Sequence, residues 1–208
     1  LTTEDGGSYN VAIGYSALMN LNAGDAYNVA VGYEAGALIS TGLYNTLIGG
    51  LAGDALTTGT NNVALGYQAL TTQVEYGQNV AIGTQALRDQ NVNGHGNNTA
   101  VGHQAGLSVS TGIRSTLIGA LAGDAITTGS YNTALGSHAL SAQTTGGSNT
   151  ALGYAALNAL NHTGSEQGFN VAVGHEAGAV MTTGTGNTLV GSLAGDSLTT
   201  GSSNTVLG

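Results

Sequence analysis

Asn10-Val11-Ala12-Ile13-Gly14-Tyr15-Ser16-Ala17-Leu18 decides the fold, because it returns along the whole chain. Its copies start at Asn28, Asn45, Asn62, Asn79, Asn98, Ser115, Asn132, Asn149, Asn170 and Asn187. A shorter copy is Asn204-Thr205-Val206-Leu207-Gly208. These twelve units are spaced by 17 residues in eight of eleven intervals, and by 18, 19 or 21 in the rest. A fixed period of this length marks a repeat architecture. Val11-Ala12-Ile13 and Thr133-Ala134-Leu135 are too short for helices and read as strands, with turn formers on either side. Seventeen residues hold one or two short strands plus corners, which is one coil of a solenoid. The sequence therefore predicts an all-β parallel β-solenoid (β-roll or β-helix) of twelve coils of about 17 residues. At a strand spacing of ~4.8 Å the rod is roughly 55–60 Å long. A strand–turn–strand coil is favoured over one with a helical turn at Tyr67-Gln68-Ala69-Leu70, because Gly and Thr are frequent.

Each column of the repeat then has a physical role. Alternate strand residues face opposite sides. The second and fourth columns (Val/Thr, then Ile/Val/Leu) share one face, and the third takes the other, with Ala or with Leu47, Leu117, Leu189 and Val206. Both faces are apolar, so one is expected to form the core and the other to meet a second chain. The fifth column is Gly in all twelve units, which requires φ > 0 or a close chain approach. The first column is Asn in eleven of twelve. Those asparagines, Asn10 to Asn204, are expected to form a structural ladder by bonding to each other and to neighbouring backbone.

A longer period overlies the short one. Gly49-Gly50-Leu51-Ala52-Gly53-Asp54-Ala55-Leu56-Thr57-Thr58-Gly59 has near-copies starting at Gly119 and Gly191. This gives three four-coil super-repeats, approximately 1–70, 71–140 and 141–208, in one array without a separate globular domain. Three insertions lengthen the first unit of each: Leu21 to Ala26, Arg88 to Gly96 and Asn158 to Gly168. Insertions in solenoids become loops on one side, often the binding side.

Composition removes several function classes. The formal net charge is −9, and the cations are Arg88 and Arg114. Two arginines cannot neutralise a run of phosphates, so no nucleic-acid partner is expected. A polybasic membrane anchor and a membrane-spanning helix are likewise not expected. With no Cys there is no disulfide framework and no thiolate ligand or nucleophile. Collagen is excluded, since Gly does not recur every third residue and Pro is absent.

Candidate chemistry is sparse. His103 and His175 share a column but lie four coils apart, roughly 19 Å, too far to hold one metal. Asp54, Asp124 and Asp196 are separated in the same way and read as turn caps. Glu34 and Glu176 have no acidic partner in their own column on the adjacent coils. No nucleophile elbow, P-loop or dinucleotide fingerprint occurs, so neither catalysis nor a cofactor is expected. Tyr15, Tyr33, Tyr67 and Tyr154 in the sixth column offer rings for glycan contact. The sequons at Asn97 and Asn161 are candidate glycosylation sites. Thr-Thr-Gly at Thr57, Thr127, Thr182 and Thr199 keeps an ice-binding protein as a remote alternative.

The Asn-Val-Ala-Ile-Gly core with Ala three residues later resembles the head repeats of trimeric autotransporter adhesins. The longer form, with Gly-Tyr-x-Ala-Leu and then Thr-Thr-Gly, resembles repeats of phage-type tail fibre proteins that carry a chaperone-of-endosialidase domain. The resemblance implies a left-handed roll and a homotrimer. Two departures stand: the unit is longer than a typical adhesin-head repeat, and no anchor, stalk or chaperone motif is seen. Leu1-Thr2-Thr3 matches the phase of Leu56-Thr57-Thr58, and the chain closes mid-unit. With neither end capped, the sequence reads as a section of a longer shaft or a subunit stacking end to end. The expected role is structural, as an extracellular fibre or filament segment whose partner is itself. The alternative is a tail fibre or adhesin segment that binds cell-surface glycans through the insertions.

Overall fold

The computed structural model describes residues 9–162 and 167–208. Its strands are β1 (Val11–Ile13), β2 (Val29–Val31), β3 (Thr46–Ile48), β4 (Val63–Leu65), β5 (Val80–Ile82) and β6 (Thr99–Val101). They continue as β7 (Thr116–Ile118), β8 (Thr133–Leu135), β9 (Thr150–Leu152), β10 (Val171–Val173), β11 (Thr188–Val190) and β12 (Thr205–Leu207). Each strand pairs in parallel with the next, giving one 12-stranded sheet in sequence order. The register puts like columns together, as in Ala64↔Ala81 and Ala81↔Ala100. The chain is therefore a β-solenoid of about 11 turns. Coils are numbered here by their strands.

One expectation about the coil needs correction. Among the described residues each coil carries one named strand, and the rest of its circuit is turns. Left-handed backbone breaks the second half, with Gln68 at φ 55° and Leu70 at φ 54°. That conformation costs a non-Gly residue roughly 1–2 kcal/mol. It persists because inter-coil bonds continue past the strand and fix it from both sides. Gln68 N–H donates to Gly50 O at 3.0 Å, and Leu70 N–H donates to Ala86 O at 3.0 Å.

The core is a stack of small and aliphatic columns. The middle residue of each strand points inward, so Ala30, Leu47, Ala64 and Ala81 are buried while their strand neighbours face out. A size exchange keeps the interior full. Leu47 enters the space left by two glycines, with methyl carbons 2.7 Å and 2.8 Å from where a Cβ on Gly36 and on Gly53 would stand. Leu117 does the same over Gly106 and Gly123, at 2.8 Å and 2.9 Å. Where the later position is Leu, as at Leu70, Leu87 and Leu140, the strand centre is Ala. The glycine that ends each strand meets both demands made of it. Gly66 has φ +136°, and a Cβ there would lie 2.6 Å from the carbonyl carbon of Gly83.

Candidate functional sites

The asparagine column is a buried ladder. Asn45 donates its N–H and its Nδ2–H to Asn28 Oδ1 at 2.9 Å and 3.1 Å, and a second Nδ2–H to Gly59 O at 2.8 Å. The N–H-to-Oδ1 link repeats from Asn28 on Asn10, through Asn62, Asn79 and Asn98, to Ser115. Asn132 donates instead to Ser115 Oγ at 3.2 Å. The Oδ1 ladder then resumes through Asn149, Asn170 and Asn187 to Asn204. The N–H-to-Oδ1 links thus tie coil to coil, and several amides, such as Asn28, Asn98 and Asn170, also close a corner by donating Nδ2–H to a backbone carbonyl, whereas Asn79 Nδ2 is buried without a partner. A second staple uses hydroxyls. Thr57 Oγ1 donates to Val74 O, Thr127 Oγ1 to Thr144 O and Thr182 Oγ1 to Thr199 O, at 3.1–3.2 Å. These hydroxyls, raised above as ice-binding candidates, are turned to backbone.

The outward sheet face is uncovered within one chain and combines an aliphatic column with a column of Val and Thr. Val11, Ile13, Leu65, Leu135, Val171, Val190 and Leu207 all stand exposed on it. Rings border it on both sides. Tyr15 and Tyr33 stack with centroids 5.3 Å apart and planes within 10°. Tyr154 stacks on His175 at 5.3 Å and meets the edge of His138 at 6.2 Å. These rings lie against each other, which limits the open faces a sugar could use. Tyr67 follows Gly50 and precedes Thr84 in its column, neighbours that carry no ring to stack on it. Sequence reading missed the other border. Tyr9, Tyr27 and Tyr44, one residue before the ladder, form a continuous stack at 4.8 Å and 5.6 Å. Reading the column before Asn as closely as the sixth would have found it.

Charged groups form local contacts. Arg88 holds Asp89 through two bonds of 2.7 Å and 2.9 Å. Arg114 donates to the Tyr131 hydroxyl at 2.9 Å. Asp54 and Asp124 each bury an Oδ1 with no partner. Burial pushes both carboxyls up, against the pull of nearby backbone N–H groups, and Glu34 adds to the rise at Asp54. Glu34 therefore has an acidic neighbour after all, from a different column of the adjacent coil. Among the described residues no cluster of three or more His, Cys, Asp or Glu could hold a metal. No helix there is long and apolar enough to cross a membrane.

The insertions leave the coil at one corner. Leu21, Gln90 and Leu160 are buried at the start of each. The sequon residue Asn97 is exposed, whereas Asn161 Oδ1 accepts from Thr144 Oγ1 at 2.8 Å. Residues 163–166 of the third insertion, including the sequon's Thr163, lie outside the described residues. The second insertion borders a cleft of about 430 Å³, lined by Val74, Glu75 and Tyr76 of coil 4 and Asn91, Val92 and Asn93 of coil 5. Behind it, fully buried Gln73 donates Nε2–H to Glu75 O and accepts from Val92 N–H at 3.5 Å. Against this geometry, no family model, curated protein or solved structure matches the chain.

Proposed function

We propose that the chain is a rigid, non-catalytic shaft segment of an extracellular protein fibre, and that three copies pack through their outward sheet faces. The observation that carries this reading is the aliphatic column of the outward face. From Ile13 to Leu207 it runs along all twelve strands beside a column of Val and Thr, and the whole face covers on the order of 400 Å² in plan at the strand spacing. The largest apolar patch of a monomer is roughly 300–600 Å² and often functional, which suits an association surface here. The three four-coil super-repeats and the resemblance to trimeric adhesin heads and tail fibres support the same reading. Mechanically, backbone bonds run from coil to coil, the asparagine column adds side-chain bonds along the rod, and threonine hydroxyls add further bonds at some boundaries, so the assembly resists bending and proteolysis. Cryo-EM of the purified chain tests it: three-lobed cross-sections are expected, and isolated single rods would refute the trimer.

A second reading is favoured by the cleft beside Arg88 to Gly96. Here the same rod displays loops that bind cell-surface glycans. A glycan array probed with the wild-type chain tests it, and the absence of any bound glycan would refute it.

A further inference from the structure

We infer that the coil 4–5 cleft is a subsite for a neutral, hydroxyl-rich ligand of the size of one or two sugar units. This deepens the glycan reading above and rests on it. Its volume of about 430 Å³ falls within the roughly 300–1,000 Å³ of small-ligand sites.

Buried Gln73 holds the two walls together, bonding Glu75 O on one side and the Val92 N–H on the other. Its Nε2 also approaches Val92 O at 3.5 Å. The side chains ahead of this staple therefore face the cleft from a fixed backbone, and less ordering entropy is lost on binding.

Asn91 and Asn93 each bring an acceptor and two donors, Glu75 brings an acceptor, and Tyr76 brings a ring and a hydroxyl. Val74 and Val92 supply apolar wall. Mixed donors and acceptors beside apolar surface suit a ring bearing both hydroxyls and C–H faces. Tyr76 meets His95 edge-on, at 84° between planes, unlike the face-to-face rings of coils 1–3. No cation lines the cleft, and the Arg88 guanidinium is held by Asp89. With Glu75 as the lining charge, an anionic ligand is disfavoured.

Seventy residues on, the equivalent corner has Thr145 and Gly146 in place of Glu75 and Tyr76, and His162 in place of Val92. The His162 ring is buried there, its Nδ1 2.9 Å from where a Cβ on Gly146 would stand. The same corner is filled by a side chain at one place and left open at the other.

Saturation-transfer NMR on the full chain tests the inference. The probes are methyl glucoside, methyl galactoside and N-acetylglucosamine, with N-acetylneuraminic acid as the anionic comparison. Transfer from at least one neutral sugar is expected, with none from the acid. Tyr76→Ala and Asn93→Ala should each weaken binding roughly tenfold while far-UV CD stays unchanged. Transfer that survives both substitutions, or is lost on deleting Asn158 to Gly168 instead, would overturn the subsite and leave the glycan reading standing. Transfer from no neutral sugar would overturn the subsite, and with an empty glycan array it would remove that reading too. Equal or stronger transfer from the acid would overturn the neutral class.

Discussion

The corner of coils 4 and 5 and the corner of coils 8 and 9 start from the same buried residue type and end differently. Gln73 bonds to Glu75 O and Val92 N–H, and an open cleft lies in front of it. Gln143 is equally buried, yet neither its Nε2 nor its Oε1 has a partner, and His162 Nδ1 beside it has none. His162 is held from its other side, with Nε2 assigned as the donor to Gly184 O at 3.0 Å. The difference teaches that solenoid scaffold and displayed site separate cleanly. The short strand and the strand-ending glycine are kept at both corners, while the asparagine column differs in its amide bonds: Asn79 Nδ2 is buried without a partner, and Asn149 Nδ2 donates to Asn132 Oδ1 and Gly147 O. A few residues after the core column decide whether the corner is open or closed.

The largest predicted effect lies in the scaffold that both corners share. Leu117→Ala removes the side chain that fills over Gly106 and Gly123. It should destabilise the fold by about 3–5 kcal/mol in chemical denaturation. A loss under 1 kcal/mol would show that the Leu–Gly exchange is not tightly packed.

Next comes the closed corner. His162→Ala empties a buried position and removes one of the two donors to Gly184 O, Asn170 Nδ2 remaining, so about 2–3 kcal/mol should be lost, chiefly through the cavity. Val92→Ala at the matching place borders an open cleft and should lose less than about 1 kcal/mol. Equal losses would break the comparison.

The two glutamines should then respond with opposite sign. Gln143→Leu replaces an unpartnered buried amide in a column that elsewhere holds Leu56 and Leu160. It should stabilise by about 1–2 kcal/mol. Gln73→Leu leaves Val92 N–H and Glu75 O without their partner and should destabilise by about 1 kcal/mol. Thermal melts of both variants give the sign directly.

The smallest effect concerns pH. Burial raises the Asp54 carboxyl above its ordinary value of 3.8, so the folded state favours the protonated form. Its stabilisation relative to the unfolded chain is therefore present at low pH and is lost as pH rises from about 3.8 through the raised value. Asp54 is partly exposed, so screening keeps the effect below about 1 kcal/mol. Asp54→Asn should flatten that part of the stability–pH curve, and an unchanged curve would remove the assignment.

How far the sequence could be read follows from which contacts it encodes locally. The strand, its parallel pairing and the split of its columns between two faces were legible because side-chain direction alternates every residue, whereas which face is the core was not, since both sets of columns are largely apolar. The fifth-column glycine was legible because its two possible reasons, positive φ and close approach, coincide at Gly66. The second half of the coil was not. Gln68 and Leu70 are ordinary residues whose left-handed backbone is imposed by neighbouring coils. The sixth-column tyrosines were picked out, but not that Tyr15 and Tyr33 would cover each other, nor that Tyr9, Tyr27 and Tyr44 form a longer stack. The cleft was half legible. The insertion Arg88 to Gly96 marked one wall, while Glu75 and Tyr76 lie in a coil of ordinary length.

The central claim is that the outward sheet face is a contact between copies of this rod. Light scattering coupled to size-exclusion chromatography measures it most directly, on the wild-type chain and on a Val80→Asp, Ile82→Asp variant whose charges sit mid-face. The account predicts a wild-type mass of three times 20.4 kDa and a monomeric, still β-rich variant. A wild-type chain that runs at 20.4 kDa across the accessible concentration range would contradict it.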